Sequence, residues 1–211
     1  MVITQARRKH AEGRHSQVLD LRMGVLEQLQ HALHRLVLGQ QGEALRVAQA
    51  GFVDALPDGV AAVRGMPNTP ARVGQGMTVL SPAADVTAEQ LQLVRDVLAP
   101  TGATLVLPEA QQGAATALSG SAPAYFYLVV EAMVDAGVAR GLTRADALAL
   151  AGQAARGAGA MLVETGEEAA LLRAQVTSPG GSTAAALARL EAHGVRHALA
   201  DAVAACAERA G

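Results

Sequence analysis

Residues 143–166, TRADALALAGQAARGAGAMLVETG, decide the fold class of this chain. Thr143, with Asp146 three residues on, makes a capping-box-like start, and Gly166 stands where a helix would stop. Between them Ala and Leu dominate, the residues with the strongest helix propensity. Gly152, Gly157 and Gly159 interrupt that propensity, each at roughly 1 kcal/mol against Ala. The expense is offset where a second helix crosses at short distance, so a close helical neighbour is expected here. The rest of the composition agrees: the 211 residues include 47 Ala and no Trp, and only 2% are aromatic. An Ala-rich, aromatic-poor core has to pack helices closely, because each Ala buries little area.

Toward the C-terminus the helical reading continues. Thr183 to His193 and Val195 to Arg209 form a pair split by Gly194. Toward the N-terminus, Pro123 opens an apolar helix reaching about Ala139, and PEAQQGAATALSG begins another at Pro108. The wide apolar faces are expected to pack against a second copy of the chain. Residues 60–107 read differently. Val60 to Met66, Met77 to Leu80 and Ala103 to Leu107 are short apolar runs bounded by Pro and Gly, and so candidate strands. Thr87 to Leu98 lies between the last two, with Thr87 and Gln90 placed as a capping box and Leu91, Val94 and Leu98 on one face. Two strands joined through a helix form a βαβ-like unit.

Several function classes drop out. One cysteine, Cys206, cannot make an intramolecular disulfide or a zinc ribbon. It lies among helix formers and reads as buried rather than nucleophilic. The apolar stretch Ala122 to Val134 is shorter than the ~20 residues of a membrane span, and MVITQARRKHAEGRH has no apolar signal region. The formal net charge of −2 argues against a nucleic-acid partner. A cytoplasmic protein is the expectation. Charge is uneven, however: residues 1–49 hold seven Lys and Arg against four Asp and Glu, and the remainder ten against fifteen. His10, His15, His31 and His34 also fall in this first part. His31 and His34 have a spacing that metal sites use, but no carboxylate or cysteine nearby completes a set, so no metal is expected. From Ser16 to Gly39 the apolar residues recur at helical steps, giving one amphipathic helix. The break near residue 50 is what a replaced segment, or a misassigned start or frame, would leave.

Three stretches could carry chemistry. Gln175-Val-Thr-Ser-Pro-Gly-Gly-Ser-Thr183 leads hydroxyls and glycines straight into a helix. A helix N-terminus offers unpaired N–H groups and partial positive charge, which suits a small carboxylate or phosphate. A plain N-cap at Ser182 or Thr183 after an ordinary Pro-Gly-Gly turn would show the same residues. Met66-Pro-Asn-Thr-Pro70 follows a strand, where Asn68 could offer its amide to a ligand or simply stiffen a connector. Leu118-Ser-Gly-Ser-Ala-Pro-Ala-Tyr125 is a hydroxyl- and glycine-rich break between helices. Neither G-x-x-x-x-G-K nor G-x-G-x-x-G occurs in the sequence.

Taken in order, MPNTPARVGQGMTVLS, ALSGSAPAY and QVTSPGGSTAAALARLE closely resemble pyrroline-5-carboxylate reductase over roughly residues 53–211. The resemblance implies a mostly α chain in which a C-terminal helical dimerisation domain follows a truncated α/β, Rossmann-like portion. Three parts are then expected. Residues 1–50 would be an atypical basic helical segment, 51–107 the partial α/β portion, and 108–211 the all-helical dimerisation and substrate domain. It also implies reduction of 1-pyrroline-5-carboxylate to L-proline, the last step of proline synthesis, with NADPH or NADH, in a homodimer or larger ring. The substrate would sit on Val176, Thr177, Ser178, Gly180, Gly181, Ser182 and Thr183. Amides and Ser178 would hold the carboxylate, and Thr183 would serve the imine nitrogen. Pro67, Asn68, Ser119, Gly120 and Ser121 would lie near the nicotinamide. The chain departs from the family pattern at Ala122, where Gly is usual, and at Ala174, where an acidic residue is common. It also lacks the glycine loop that holds the cofactor's pyrophosphate. The alternative implied is an inactive homologue serving as a dimerisation or small-carboxylate-binding module.

Overall fold

The computed structural model describes residues 62–210. The amphipathic stretch 16–39 and the four early histidines lie outside the described residues. The described chain divides into two compact units, one of residues 62–120 and one of Ser121–Glu208.

The first unit is built on three strands, β1 (Val63–Met66), β2 (Gly76–Pro82) and β3 (Gly102–Val106), in the order β1-β2-β3. β1 runs antiparallel to β2, with Gly65 opposite Leu80, and β2 runs parallel to β3, with Val79 opposite Leu105. Parallel strands need a crossover, and α1 (Ala88–Leu98) supplies it. Its start is the expected capping box: Thr87 Oγ1 accepts from Gln90 N at 3.3 Å, and Gln90 Oε1 accepts from Thr87 N at 2.9 Å. Central position explains burial along β2, where Thr78, Val79, Leu80 and Ser81 are all inaccessible. Two glycines let the parallel pair begin. A Cβ on Gly102, whose φ is +134°, would sit inside the backbone of Gly76. The strands therefore start one residue earlier than the apolar runs suggested, because hydropathy does not register Gly76 and Gly102.

Residues 108–120 depart from expectation. A single helix from Pro108 gives way to a 3-10 turn at Glu109–Gln111, a short α2 (Gln112–Ala115) and a π turn at Thr116–Gly120. This stretch packs with the sheet, since Gln112 Nε2 donates to the buried Ser81 Oγ at 2.7 Å, and Ser81 donates on to the Leu107 carbonyl. Compactness thus changes at Gly120–Ser121 rather than at residue 108.

The second unit is all helix: α3 (Ala122–Ala139), α4 (Arg144–Thr165), α5 (Ala169–Gln175), α6 (Ser182–Ala192) and α7 (Val195–Ala210). Thr143 Oγ1 caps α4 by accepting from Asp146 N at 3.1 Å, and Gly166, at φ +65°, ends it. α3 and α4 meet over a core of Val134, Ala147 and Ala151 with Val130 against it. The approach is close at Gly137, where a Cβ would come within 3.2 Å of Ala147 Cβ. The close neighbour expected at Gly152, Gly157 and Gly159 is not supplied by the described residues, for nothing lies within 4 Å of a Cβ at any of the three.

By length and composition Glu109–Ala139 is apolar and long enough to cross a membrane. It is longer than the Ala122–Val134 stretch on which the expectation of no membrane span rests. It is not one continuous helix, because the chain breaks at Ser121 between the π turn and α3. α3 itself also carries the exposed carboxylates Glu131 and Asp135.

Candidate functional site

Val176 to Gly181 form the turn between α5 and α6, and Ser182 and Thr183 open α6, so the seven expected substrate residues run from the turn into the helix start. The turn closes through Gly181 N donating to Ser178 O at 3.1 Å, with Gly180 at φ +69°. Left-handed backbone at that position favours glycine. Gly181 is the N-cap of α6, and no side chain caps the helix. Its leading N–H groups, which have no acceptor within the helix, stay available to an anion. A Cβ on Gly181 would stand 2.5 Å from Ser178 Oγ. Glycine there lets the Ser178 hydroxyl lie beside the helix entrance. Thr183, in the first turn of α6, is half-buried, whereas Ser178 and Ser182 are exposed. Thr177 is committed locally: its hydroxyl donates to the Arg173 carbonyl at 2.6 Å and its N–H to the Ala174 carbonyl at 3.0 Å.

The expected cofactor residues behave differently from one another. Asn68 stands at the carboxyl end of β1 and its side chain is fully used. Oδ1 accepts from Met77 N at 3.0 Å, while Nδ2 donates to the Ser119 carbonyl at 3.1 Å and lies 3.4 Å from Ser119 Oγ. Gly120 packs against the Met66 methyl, 2.8 Å from where a Cβ would be. MPNTP and LSGS are thus brought together by direct contact between Asn68 and Ser119. The hydroxyl of Ser121 belongs to a separate arrangement, since it accepts from the Cys206 thiol at 3.3 Å. Tyr125 stands in the first turn of α3 with its hydroxyl buried and without a hydrogen-bond partner among the described residues. The Cys206 thiol holds this phenol above the usual tyrosine range, chiefly by a loose hydrogen-bonding contact that favours the protonated form, with desolvation adding to it. Neither Tyr125 nor Cys206 stood out as a site residue in the sequence; only their proximity shows the cluster.

Earlier on the same strand, β1, Arg64 forms an ion pair with Glu109. Glu109 Oε2 and Gln112 Oε1 are buried beside it without partners among the described residues. No grouping of His, Cys, Asp and Glu suited to a metal occurs among the described residues.

Comparison with known proteins agrees with these motifs. The family model for pyrroline-5-carboxylate reductase dimerisation matches residues 109–211. Pyrroline-5-carboxylate reductase of Corynebacterium melassecola is 45% identical over 166 residues, covering 79% of this chain and 62% of that protein. The chain belongs to the pyrroline-5-carboxylate reductase family. The reductase of Mycobacterium leprae is 48% identical over 158 residues, 67% of this chain and 54% of its own length. Among solved structures, the reductase of Coxiella burnetii matches with a TM-score of 0.73 at 36% identity, covering 76% of this chain and 60% of that one. The Plasmodium falciparum reductase, solved with NADP bound, matches with a TM-score of 0.71 at 30% identity, covering 78% and 63%. This member of the reductase family spans about three fifths of the length of the curated relatives it matches.

A dinucleotide needs a glycine-rich strand-to-helix turn for its pyrophosphate. Among the described residues the turn from β2 into α1 carries Pro82 and Asp85 instead. Asn68 meanwhile is occupied by backbone and by Ser119. The described residues therefore do not fit the phosphate end of such a cofactor.

Proposed function

We propose that this chain carries the substrate-binding and dimerisation half of an NAD(P)H-dependent pyrroline-5-carboxylate reductase, which reduces a cyclic imine carboxylate to L-proline in the cytoplasm. The observation that carries this reading is the open N-terminus of α6, which Gly180, Gly181 and Ser178 shape and no side chain caps. Charge there is complementary to a carboxylate, and the turn sequence matches the family at the same place. The substrate carboxylate binds the leading N–H groups of α6 and the Ser178 hydroxyl. Thr183, half-buried one residue further on, donates its hydroxyl hydrogen bond to the ring nitrogen, where electron density gathers as the C=N bond is reduced. A nicotinamide supplies the hydride to carbon, and a proton is added at nitrogen, giving the secondary amine.

Homo-oligomerisation follows from the family's dimerisation region, and the partner is a second copy meeting the exposed apolar faces of α3 and α4. The test is NADPH oxidation by the purified chain with 1-pyrroline-5-carboxylate, alongside calorimetric titration with L-proline. Turnover with L-proline binding supports the reductase. A second reading, a non-catalytic carboxylate-binding and dimerising homologue, is favoured by the poor fit to the cofactor's phosphates. L-proline binding without turnover or NADPH binding would select it, and neither binding nor turnover would reject both.

A further inference from the structure

The contact between α7 and the start of α3 has no part in the chemistry above. Ser121 immediately precedes α3 and stands at its N-cap position, yet its side chain makes no capping bond. Serine at that place normally accepts from an N–H one turn on. Here the hydroxyl oxygen accepts from the Cys206 thiol, 85 residues away in sequence. Tyr125 lies on the first turn of α3 with a buried hydroxyl that has no hydrogen-bond partner among the described residues, and the same thiol perturbs it. The sulfur thus contacts the hydroxyl just before α3, adjoining the Ser119–Gly120 turn, and influences a phenol in the helix's first turn. A cysteine serving only as apolar filler would not need a hydroxyl against it.

We propose that Cys206 is a positioning residue, whose thiol holds the Ser121 hydroxyl and the start of α3 in the arrangement the reaction requires. This rests on the reductase reading for its activity readout, but not for its spectroscopic one. The thiol touches no substrate; it acts through Ser121.

The test uses the full chain in a Tyr127→Phe background, which leaves Tyr125 as the one titrating phenol. Cys206→Val keeps apolar volume and removes the hydrogen bond, Cys206→Ser keeps a donor, and Cys206→Ala is the smaller control if valine impairs folding. Without the thiol Tyr125 should ionise at lower pH, followed by tyrosinate absorbance. Turnover should fall about three- to tenfold in Cys206→Val, the scale of one hydrogen bond, and return largely in Cys206→Ser. Parent-like titration in Cys206→Val overturns the proposal, whatever the turnover. So does a serine variant as impaired as valine, because packing would then explain the loss. If the parent shows no turnover, the reductase reading fails, and the Tyr125 titration alone decides the role of Cys206.

Discussion

In the proposed reaction Thr183 is the residue on which the chemistry turns. It sits in the first turn of α6, half-buried, where under that proposal the helix's leading amides would hold one end of the ligand and its hydroxyl would reach the other. A preorganised donor to a nitrogen gaining charge is worth ~2–4 kcal/mol in the transition state. Thr183→Ala should therefore lower kcat by about 30- to 1,000-fold, while L-proline affinity changes far less because the carboxylate contacts remain. Steady-state kinetics with parallel calorimetry measure both, and an unchanged kcat removes Thr183 from the mechanism. Gly102 is the structural counterpart. Its φ of +134° and the Gly76 backbone against it leave no room for a methyl group, so Gly102→Ala should destabilise the first unit by ~3 kcal/mol or more. Thermal unfolding checks this, and an unaltered melting temperature would show that the two strands need no close start.

At the scale of elements, what was legible in the sequence is what local chemistry controls. The Thr87–Gln90 box, the Thr143 cap and the Gly166 stop each depend on residues within one turn, and each was visible as a residue pattern. The π turn at Thr116–Gly120 was not. It arises because Gln112 is drawn to Ser81 on β2 while Ser119 is held by Asn68 just after β1, contacts no local window contains. The turn before α6 was legible because Pro-Gly-Gly precedes a helix. The Ser121–Cys206 contact was hidden by 85 intervening residues. The α1 cap also predicts a pH response. Glu89, in the first turn, has its carboxyl held below the usual range, first by a backbone hydrogen bond and then by one from Thr87. A carboxyl lowered in the folded chain contributes stability above its unfolded pKa and loses it as pH falls through the folded value. Glu89→Gln should thus lower stability slightly at neutral pH, leave it nearly unaffected at acid pH, and so flatten the fall between the two. Urea unfolding across that range reads it, and an unchanged acid slope would mean that Glu89 gains nothing from the cap.

At the scale of the whole molecule, the second unit has far more apolar surface than core. Val134, at 3% exposed, Ala147 and Ala151 are buried between α3 and α4, whereas Phe126 is 67% exposed and Val163 85%. On α4, Leu148, Gly152, Ala155, Gly159 and Leu162 lie on one face at three- and four-residue steps, and that face is open within the described residues. A helix keeps two glycines at roughly 1 kcal/mol each only where small size is used, and no described part of this chain uses it. The dimerisation region of the family spans this helix, and under the proposed dimer the element that crosses there belongs to a second copy. Gly159→Leu separates the two possibilities. Among the described residues nothing lies within 4 Å of a Cβ there, and leucine improves helix propensity, so the substitution should not cost the monomer stability. Across a close helix crossing it forces the axes apart and should convert the dimer to monomer, seen as a halved mass by sedimentation equilibrium, with turnover falling alongside it. A Gly159→Leu chain that keeps the parent's mass would place the crossing elsewhere on α4 and leave the glycines unexplained.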